Sequence, residues 1–287
     1  MKRLIVNADD FGLARGINRA IVEAHQRGIV TSTTMMASGL AFEDAIAVAR
    51  QNPRLKIGCH LVLLRGSLLG TSESSPSLYI RRGGKTEVRR GLGQFAVDSW
   101  RGRVQAADIA REVRAQIERL RTAGIEPSHI DSHKHAHVLP EVFRPMLRTA
   151  RELGMRATRN PFEPALPFSV LLAGRKLWKR YAATRVMRGW RSGFLRCVRE
   201  LGMSTTDGTI GISSTGSMDQ AMLDQLVRSL PEGTWELICH PAYDSAELKG
   251  LTRLGSSGEI ERQLLISEET KQALGEAGIE LISYADL

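Results

Sequence analysis

The sequence predicts an α/β protein whose parallel strands curl into an imperfect TIM-like (β/α) barrel. Three observations carry that prediction. Short apolar or β-branched runs alternate with helix-period segments along the chain, which implies a parallel sheet. Roughly seven or eight such runs fall within 287 residues, a length that suits one barrel. Four of the runs end in acids or histidines, where the side chains of a barrel converge on one mouth.

The first strand, Leu4 to Ala8, passes into Asp9-Asp10, and Phe11-Gly12 supplies a bend that lets two adjacent carboxylates face one site. Taken alone, the pair reads equally well as a solvated turn whose Asp caps the helix over Gly16 to Gln26. Thr33 to Ala37 is the second strand, Phe42 to Gln51 the second helix and Lys56 to Leu61 the third strand. Residues 66–103, rich in Gly, Ser and Arg, read as a long βα loop inserted in the pattern. Alternation resumes with a helix over Ala106 to Thr122, a strand over His129 to Ser132, a helix over Pro140 to Leu153 and a strand over Arg156 to Arg159. Residues 165–205 break it again as a basic helical insertion. The strand Thr209 to Ser213, helix Asp219 to Ser229, strand Glu236 to Cys239, helix Glu268 to Ala277 and strand Leu281 to Tyr284 complete the order. Residues 1–287 are thus expected to form one domain with two insertions.

Charge is localised. The chain carries a net +9, and the window from Ala165 to Arg199 holds nine Lys and Arg and no acid, so the remainder is formally neutral. A nucleic-acid-binding protein spreads its charge along a groove or stripe, so no nucleic-acid partner is expected. Within the same window Trp178, Tyr181, Met187, Trp190, Phe194 and Val198 recur at mostly helical spacing, predicting an amphipathic helix or two broken near Gly189 to Gly193. Such a segment fits a cap packed on the barrel, or a surface in peripheral contact with an anionic membrane.

Three cysteines without paired spacing argue for a reducing compartment, and Cys59 and Cys239 are expected to be buried thiols. The apolar run after Lys2 and Arg3 is too short for a signal peptide, and no stretch approaches a membrane span. A cytoplasmic protein is expected.

The candidate chemistry sits at four strand ends: Asp9-Asp10, Gly58-Cys59-His60, Asp131 to His137, and Cys239-His240-Pro241. A lone histidine after a strand is an ordinary residue, but Asp10, His60 and His133 together make three protein ligands with room for a fourth, as a catalytic divalent site requires. His133 and His137 are four apart and share a face if the chain turns helical there, leaving His135 to point elsewhere. Pro241 fixes the chain after His240, and a histidine is a residue type that can protonate a leaving group. Asp9, beside the metal ligand, is then the base for water. Adjacent Asp9 and Asp10 cannot span a sugar as a glycosidase pair does, and no nucleophile elbow, phosphate loop or dinucleotide fingerprint is present. Metal-assisted hydrolysis remains.

Asn7 to Gly12, Gly28 to Thr34, Gly58-Cys59-His60-Leu61, Asp131-Ser132-His133 with His137, and Cys239-His240-Pro241 resemble the YdjC carbohydrate deacetylases in order and nearly in spacing. The resemblance implies a barrel of the glycoside hydrolase/deacetylase type that removes an N-acetyl group from an amino sugar. It implies Asp10, His60 and His133 as ligands of a divalent metal ion, Asp9 as base and His240 as acid, with no secure role for His137. The donor set leans towards zinc on softness grounds, whereas the family is often described with magnesium. A homodimer is common in the family. The basic segment, followed by Thr205 to Ile212, departs from the chitobiose-type members and is similar to the hopanoid-biosynthesis-associated HpnK branch. That similarity implies a glycolipid substrate, N-acetylglucosaminyl bacteriohopanetetrol. The alternatives are a soluble chito-oligosaccharide such as diacetylchitobiose, and a non-catalytic lipid- or sugar-binding module.

Overall fold

A computed structural model describes residues 1–166, 175–248, 250–252 and 256–287; residues 167–174, the start of the expected basic insertion, lie outside the described residues. Strand β1 (Lys2–Phe11) is the centre of an all-parallel sheet. The other strands of that sheet, in chain order, are β2 (Ser32–Met35), β3 (Lys56–Leu61), β6 (Ile130–Ser132), β7 (Ala157–Thr158), β8 (Ser204–Thr205), β9 (Gly208–Ile210), β10 (Gly233–Cys239) and β11 (Ile279–Ile282), while β4 (Tyr79–Arg82) and β5 (Lys85–Val88) form a separate antiparallel hairpin. The path runs β8-β7-β6-β3-β2-β1-β10-β9. One edge of β1 pairs with β10, and the other is shared: β11 takes Lys2 to Ile5, and β2 takes the chain from Asn7 onward.

The expected barrel is a curled sheet that, among the described residues, does not close by a ladder between β8 and β9. The chain beyond β7 crosses the seam with single bonds: Thr209 Oγ1 donates to Asn160 O at 2.7 Å, and Asn160 Nδ2 donates to Thr206 O at 2.9 Å. Pro161 has no N–H to give, which is why this stretch cannot extend β7 into a regular ladder.

Alternation along β1 separates two environments. Leu4, Val6 and Ala8 join the large apolar core beneath the helices. Ile5 faces the inside of the curl with Ala157, Ile282 and Tyr284. Helix α1 (Arg15–Gln26) shows the matching pattern on the outside, burying Ile17, Ala20, Ile21 and Ala24. Helix α2 (Phe42–Arg50) follows β2.

Residues 66–103, expected as a long loop, carry the hairpin β4–β5 and helix α3 (Leu92–Trp100). Their order comes from one polar stripe on helix α4 (Ala106–Thr122). Asp108, Glu112 and Gln116 stand four apart on one face. Asp108 accepts the Ser77 N–H (2.7 Å), Glu112 accepts those of Leu69 and Gly70 (2.8 Å each), and Gln116 accepts the N–H of Val62 (2.9 Å) and donates to its carbonyl (2.8 Å). The backbone of the insertion thus borrows from a helix the partners a sheet would have supplied.

Helix α5 (Pro140–Glu152) follows β6. The basic segment forms α6 (Arg175–Met187) and α7 (Arg191–Glu200), broken at Arg188–Trp190 as expected. Phe194 of α7 is buried edge-on against Phe143 and Phe162, with ring centroids 5.5 and 5.7 Å away. Helices α8 (Gln220–Arg228), α9 (Ser257–Ile266) and α10 (Glu268–Glu276) complete the outer layer; α9 has no counterpart in the sequence reading.

Replacing Glu112 with Ala leaves the Leu69 and Gly70 N–H groups without their acceptor. The expected outcome is a loss of about 2 kcal/mol in urea unfolding, together with new protease cleavage inside residues 66–78. Unchanged stability and protection would show that the insertion is held by something else.

Candidate active site

The end of β1 explains how two adjacent acids reach one place. Strict alternation would put Asn7 and Asp9 inside the curl and Asp10 outside. The β1–β2 register shifts between Ala8 and Phe11, and Asp10 itself takes φ +68°, so its carboxylate swings back to the inner side. The bend therefore begins one residue before the expected Phe11-Gly12, with Gly12 (φ +93°) continuing it. Neither Asp caps α1: its N-cap is Ala14 with no side-chain cap bond, and the Glu247 carboxylate accepts the Arg15 and Gly16 N–H groups instead.

Asp10, His60 and His133 meet as expected. His133 Nδ1 lies 3.0 Å and His60 Nε2 3.3 Å from the same oxygen, Asp10 Oδ1. One ligand atom from each residue lies within 4.8 Å of the others, and all three residues are buried. His60 Nδ1 is held by Asp131 Oδ1 at 2.7 Å, which commits that nitrogen and turns Nε2 to the centre. Burial opposes a charged His60, yet Asp131 and Asp9 outweigh it and push its pKa up to about 10. A proton on His60 thus stands where the surrounding carboxylates call for a cation. Two imidazole nitrogens and a carboxylate oxygen converging in this way fit a divalent ion. Asp9, His60 and Asp131 also cluster, but Asp9 and Asp131 already surround a guanidinium, which would repel a metal cation there.

That guanidinium is Arg159, fully buried and unforeseen in the sequence. It binds both oxygens of Asp9 (2.6 and 2.9 Å), Asp131 Oδ2 (2.5 Å) and Glu236 Oε1 through Nε (2.8 Å). Asn7 Nδ2 and Thr34 Oγ1 add bonds to Asp9 Oδ1 at 3.0 and 3.2 Å. Burial alone would raise the Asp9 carboxyl; Arg159, with His60 and His240, pulls it far below the usual carboxylate range. Glu236, which also accepts from Tyr284 (2.5 Å) and Thr209 (3.0 Å), is shifted up by burial despite Arg159. The only signal in the sequence was Arg159 at the end of a predicted strand.

His240, at the end of β10, places Nε2 3.9 Å from Asp9 Oδ2. Its backbone N–H donates to Glu261 Oε2 at 2.6 Å, and its buried Nδ1 has no hydrogen-bond partner among the described residues. The histidine tract corrects the helical expectation. Lys134 and His135 take left-handed angles (φ +58° and +53°), so His135 turns to the cavity while His137 does not. His137 is fully buried with Nδ1 2.6 Å from Ser132 Oγ, away from the ligand atoms. Cys59 and Cys239 are buried thiols with pKa pushed up by burial, as expected.

Asp9, Asp10, His60, His133, His135 and His240 open into one cavity of about 380 Å³. A second, of about 720 Å³, adjoins it at His133 and extends between the turn after β2 and the hairpin, past Leu13, Met36, Val62, Leu68, Tyr79 and Val88. The two share His133, Arg65 and Arg90 in their walls.

The fold and this centre define an α/β protein with a buried Asp-His-His cluster and a neighbouring acid and histidine at its strand ends. The YdjC-like protein family model matches residues 3–276, and the chain belongs to that family. It is 32% identical to a protein from Brevibacillus brevis named carbohydrate deacetylase, over 99% of both chains. It is 33% identical to a chitooligosaccharide deacetylase from Serratia marcescens, over 100% of this chain and 99% of that one. Among solved structures, a putative cellobiose-phosphate cleavage protein from Enterococcus faecalis matches with a TM-score of 0.79 and 27% identity, covering 99% of this chain and 98% of that one.

The cavity wall near Ile212 and Thr215 is held by Glu163, whose carboxylate accepts the Gly211 and Ser213 N–H groups and the Ser213 hydroxyl. Burial pushes its pKa up to about 7 against those bonds. The unfolded chain ionises this group near 4.5, so folding favours its protonated form and stability falls as pH rises between the two values. Above that window the loss is about 3 kcal/mol. Urea unfolding from pH 4 to 8 should show Glu163→Gln gaining on the parent protein across this window; parallel curves would contradict the assignment.

Proposed function

We propose that this protein is a metal-dependent N-deacetylase of an N-acetylated amino sugar. The observation that carries the reading is the convergence of Asp10, His60 and His133 on one point, with Asp9 and His240 beside it in the same cavity. The names of the relatives, carbohydrate deacetylase and chitooligosaccharide deacetylase, support it.

Asp10, His60 and His133 would hold a divalent ion, which when bound would supply Lewis acidity for the acetamide carbonyl and for water. Asp9 takes the proton of the attacking water. Its Oδ2 is the suited atom: Oδ1 is occupied by Arg159, Asn7 and Thr34, whereas Oδ2 carries one Arg159 bond and faces His240. Arg159 keeps Asp9 ionised and fixes its plane. Water oxygen adds to the acetyl carbon, and the C–N bond then breaks as His240 Nε2 protonates the departing nitrogen. The products are acetate and a free amine.

The acceptor is a lipid-linked sugar, N-acetylglucosaminyl bacteriohopanetetrol. The cavity of about 720 Å³ beside His133, whose wall mixes apolar side chains such as Leu13, Met36 and Leu68 with polar ones, gives room for a bulky aglycone, and the basic segment flanks the smaller cavity through Arg180. The names of the relatives favour a second reading, a soluble chito-oligosaccharide, and Ser38, Ser67 and Thr86 in the same groove suit sugar hydroxyls. A binding module without turnover has no use for Asp9 and His240 poised beside the ligand set. Two imidazoles and one carboxylate favour zinc, and magnesium is the alternative.

Acetate release from the glycolipid and from diacetylchitobiose, with and without chelator, tests the reading. Metal-dependent turnover of either is expected, and acetate from neither would overturn it. Asp9→Asn and His240→Gln should each lower kcat by about 10²- to 10⁴-fold with metal content unchanged. Asp10→Ala should lose the metal itself, seen by elemental analysis.

A further inference from the structure

Helix α6 is apolar on two sides. Its inner side is accounted for: Leu177 is buried, Tyr181 is half-buried with its hydroxyl accepting the Leu166 N–H at 3.3 Å, and Thr184 approaches Ser213 at 3.5 Å. Its outer side is not. Trp178, Ala182 and Val186 stand four residues apart, and Trp190 continues the row past the break; Trp178, Val186 and Trp190 are 44, 78 and 39% exposed. Of the two readings the sequence allows, a packed cap would place Trp178 and Trp190 with Phe194 and Val198 against the barrel, and a membrane-facing segment would leave them outward. Phe194 and Val198 are buried, whereas the two tryptophans are only partly covered.

Exposed cations flank this row. Lys179, Arg185, Arg196 and Arg199 are all exposed, and no acid occurs between residues 165 and 199 to balance them. A single row of indole and valine side chains is too narrow for the buried centre of a stable protein interface. It suits shallow insertion at a water–hydrocarbon boundary, where indole rings concentrate and flanking cations meet lipid phosphates. The same helix bears Arg180, which donates to Thr215 O and lines the reaction cavity.

We propose that the outer face of residues 178–199 docks on an anionic bilayer, with Trp178, Val186 and Trp190 inserted at the interface and Lys179, Arg185, Arg196 and Arg199 held against lipid phosphates. Docking there brings the cavity mouth close to the lipid surface, so a membrane-resident substrate is reached without leaving the bilayer.

Sedimentation with vesicles tests this. The full-length protein is expected to bind equimolar phosphatidylglycerol–phosphatidylcholine vesicles, to bind phosphatidylcholine alone at least about tenfold more weakly, and to be released by salt. The triple variant Trp178→Ser/Val186→Ser/Trp190→Ser, and separately Lys179→Glu/Arg185→Glu, should each lose about tenfold or more in vesicle affinity. The unfolding curve of Lys179→Glu/Arg185→Glu should match the parent's, because both side chains are exposed, so that its loss of vesicle affinity is not a loss of fold. Equal binding to both vesicle types, or unchanged binding by both variants, overturns the proposal. So does a dimer in sizing chromatography that the serine variant converts to monomer, since the face would then belong to a second copy. The vesicle assay contains no sugar, so its outcome is independent of the deacetylation reading.

Discussion

Arg159 is the interaction on which the rest of the centre depends. A guanidinium with no exposure among three carboxylates cannot be removed without leaving charges buried and unpaired. The inside of a parallel barrel is ordinarily filled by branched aliphatic side chains. Here Ile5 and its partners fill only the lower layer, and the layer above is ionic. The plane of Asp9 is set by Arg159, the plane of His60 by Asp131, and Asp131 is set in turn by Arg159. Asp9 and His60, the proposed base and metal ligand, are therefore registered to each other through one planar cation, not through the loops on which they end.

Local irregularities do as much as the regular elements. Without the left-handed turn at Asp10, the acid pair would straddle β1; without the left-handed pair Lys134-His135, the histidine tract would present a different ring to the cavity. Gly58 serves the same end by absence of a side chain. A Cβ there would fall 2.5 Å from the His129 ring, which is stacked on Tyr284 with centroids 3.7 Å apart and cannot yield freely.

The alternation of strands and helices, and the gathering of Asp9, Asp10, His60, His133 and His240, were legible because residue type coincided with position: polar side chains at the ends of apolar runs. Arg159 was not, since one arginine among 40 basic residues carries no mark of burial. Glu236 looked like an acid opening a strand. His135 and His137 were exchanged because spacing alone assumes helical angles, and the chain departs from them at Lys134. The hairpin carries a readable sign in Gly83-Gly84, both at positive φ, which joins β4 to β5 as a two-residue turn of this kind requires. Its partner stripe on α4 was masked because Asp108, Glu112 and Gln116 resemble any solvated helix face.

The shared edge of β1 has a consequence for assembly during synthesis. The strand that carries Asp9 is made well before its partners at residues 233–239 and 279–282, and the hydroxyl of Tyr284 closes on Glu236. Few of its contacts are local, which is the condition for slow, late consolidation. Until residues 233–239 and 279–284 have been made, the acids at the end of β1 lack the strands beside it and the bond of Tyr284 to Glu236. A polypeptide stalled before residue 279 would hold its carboxylates but not their geometry.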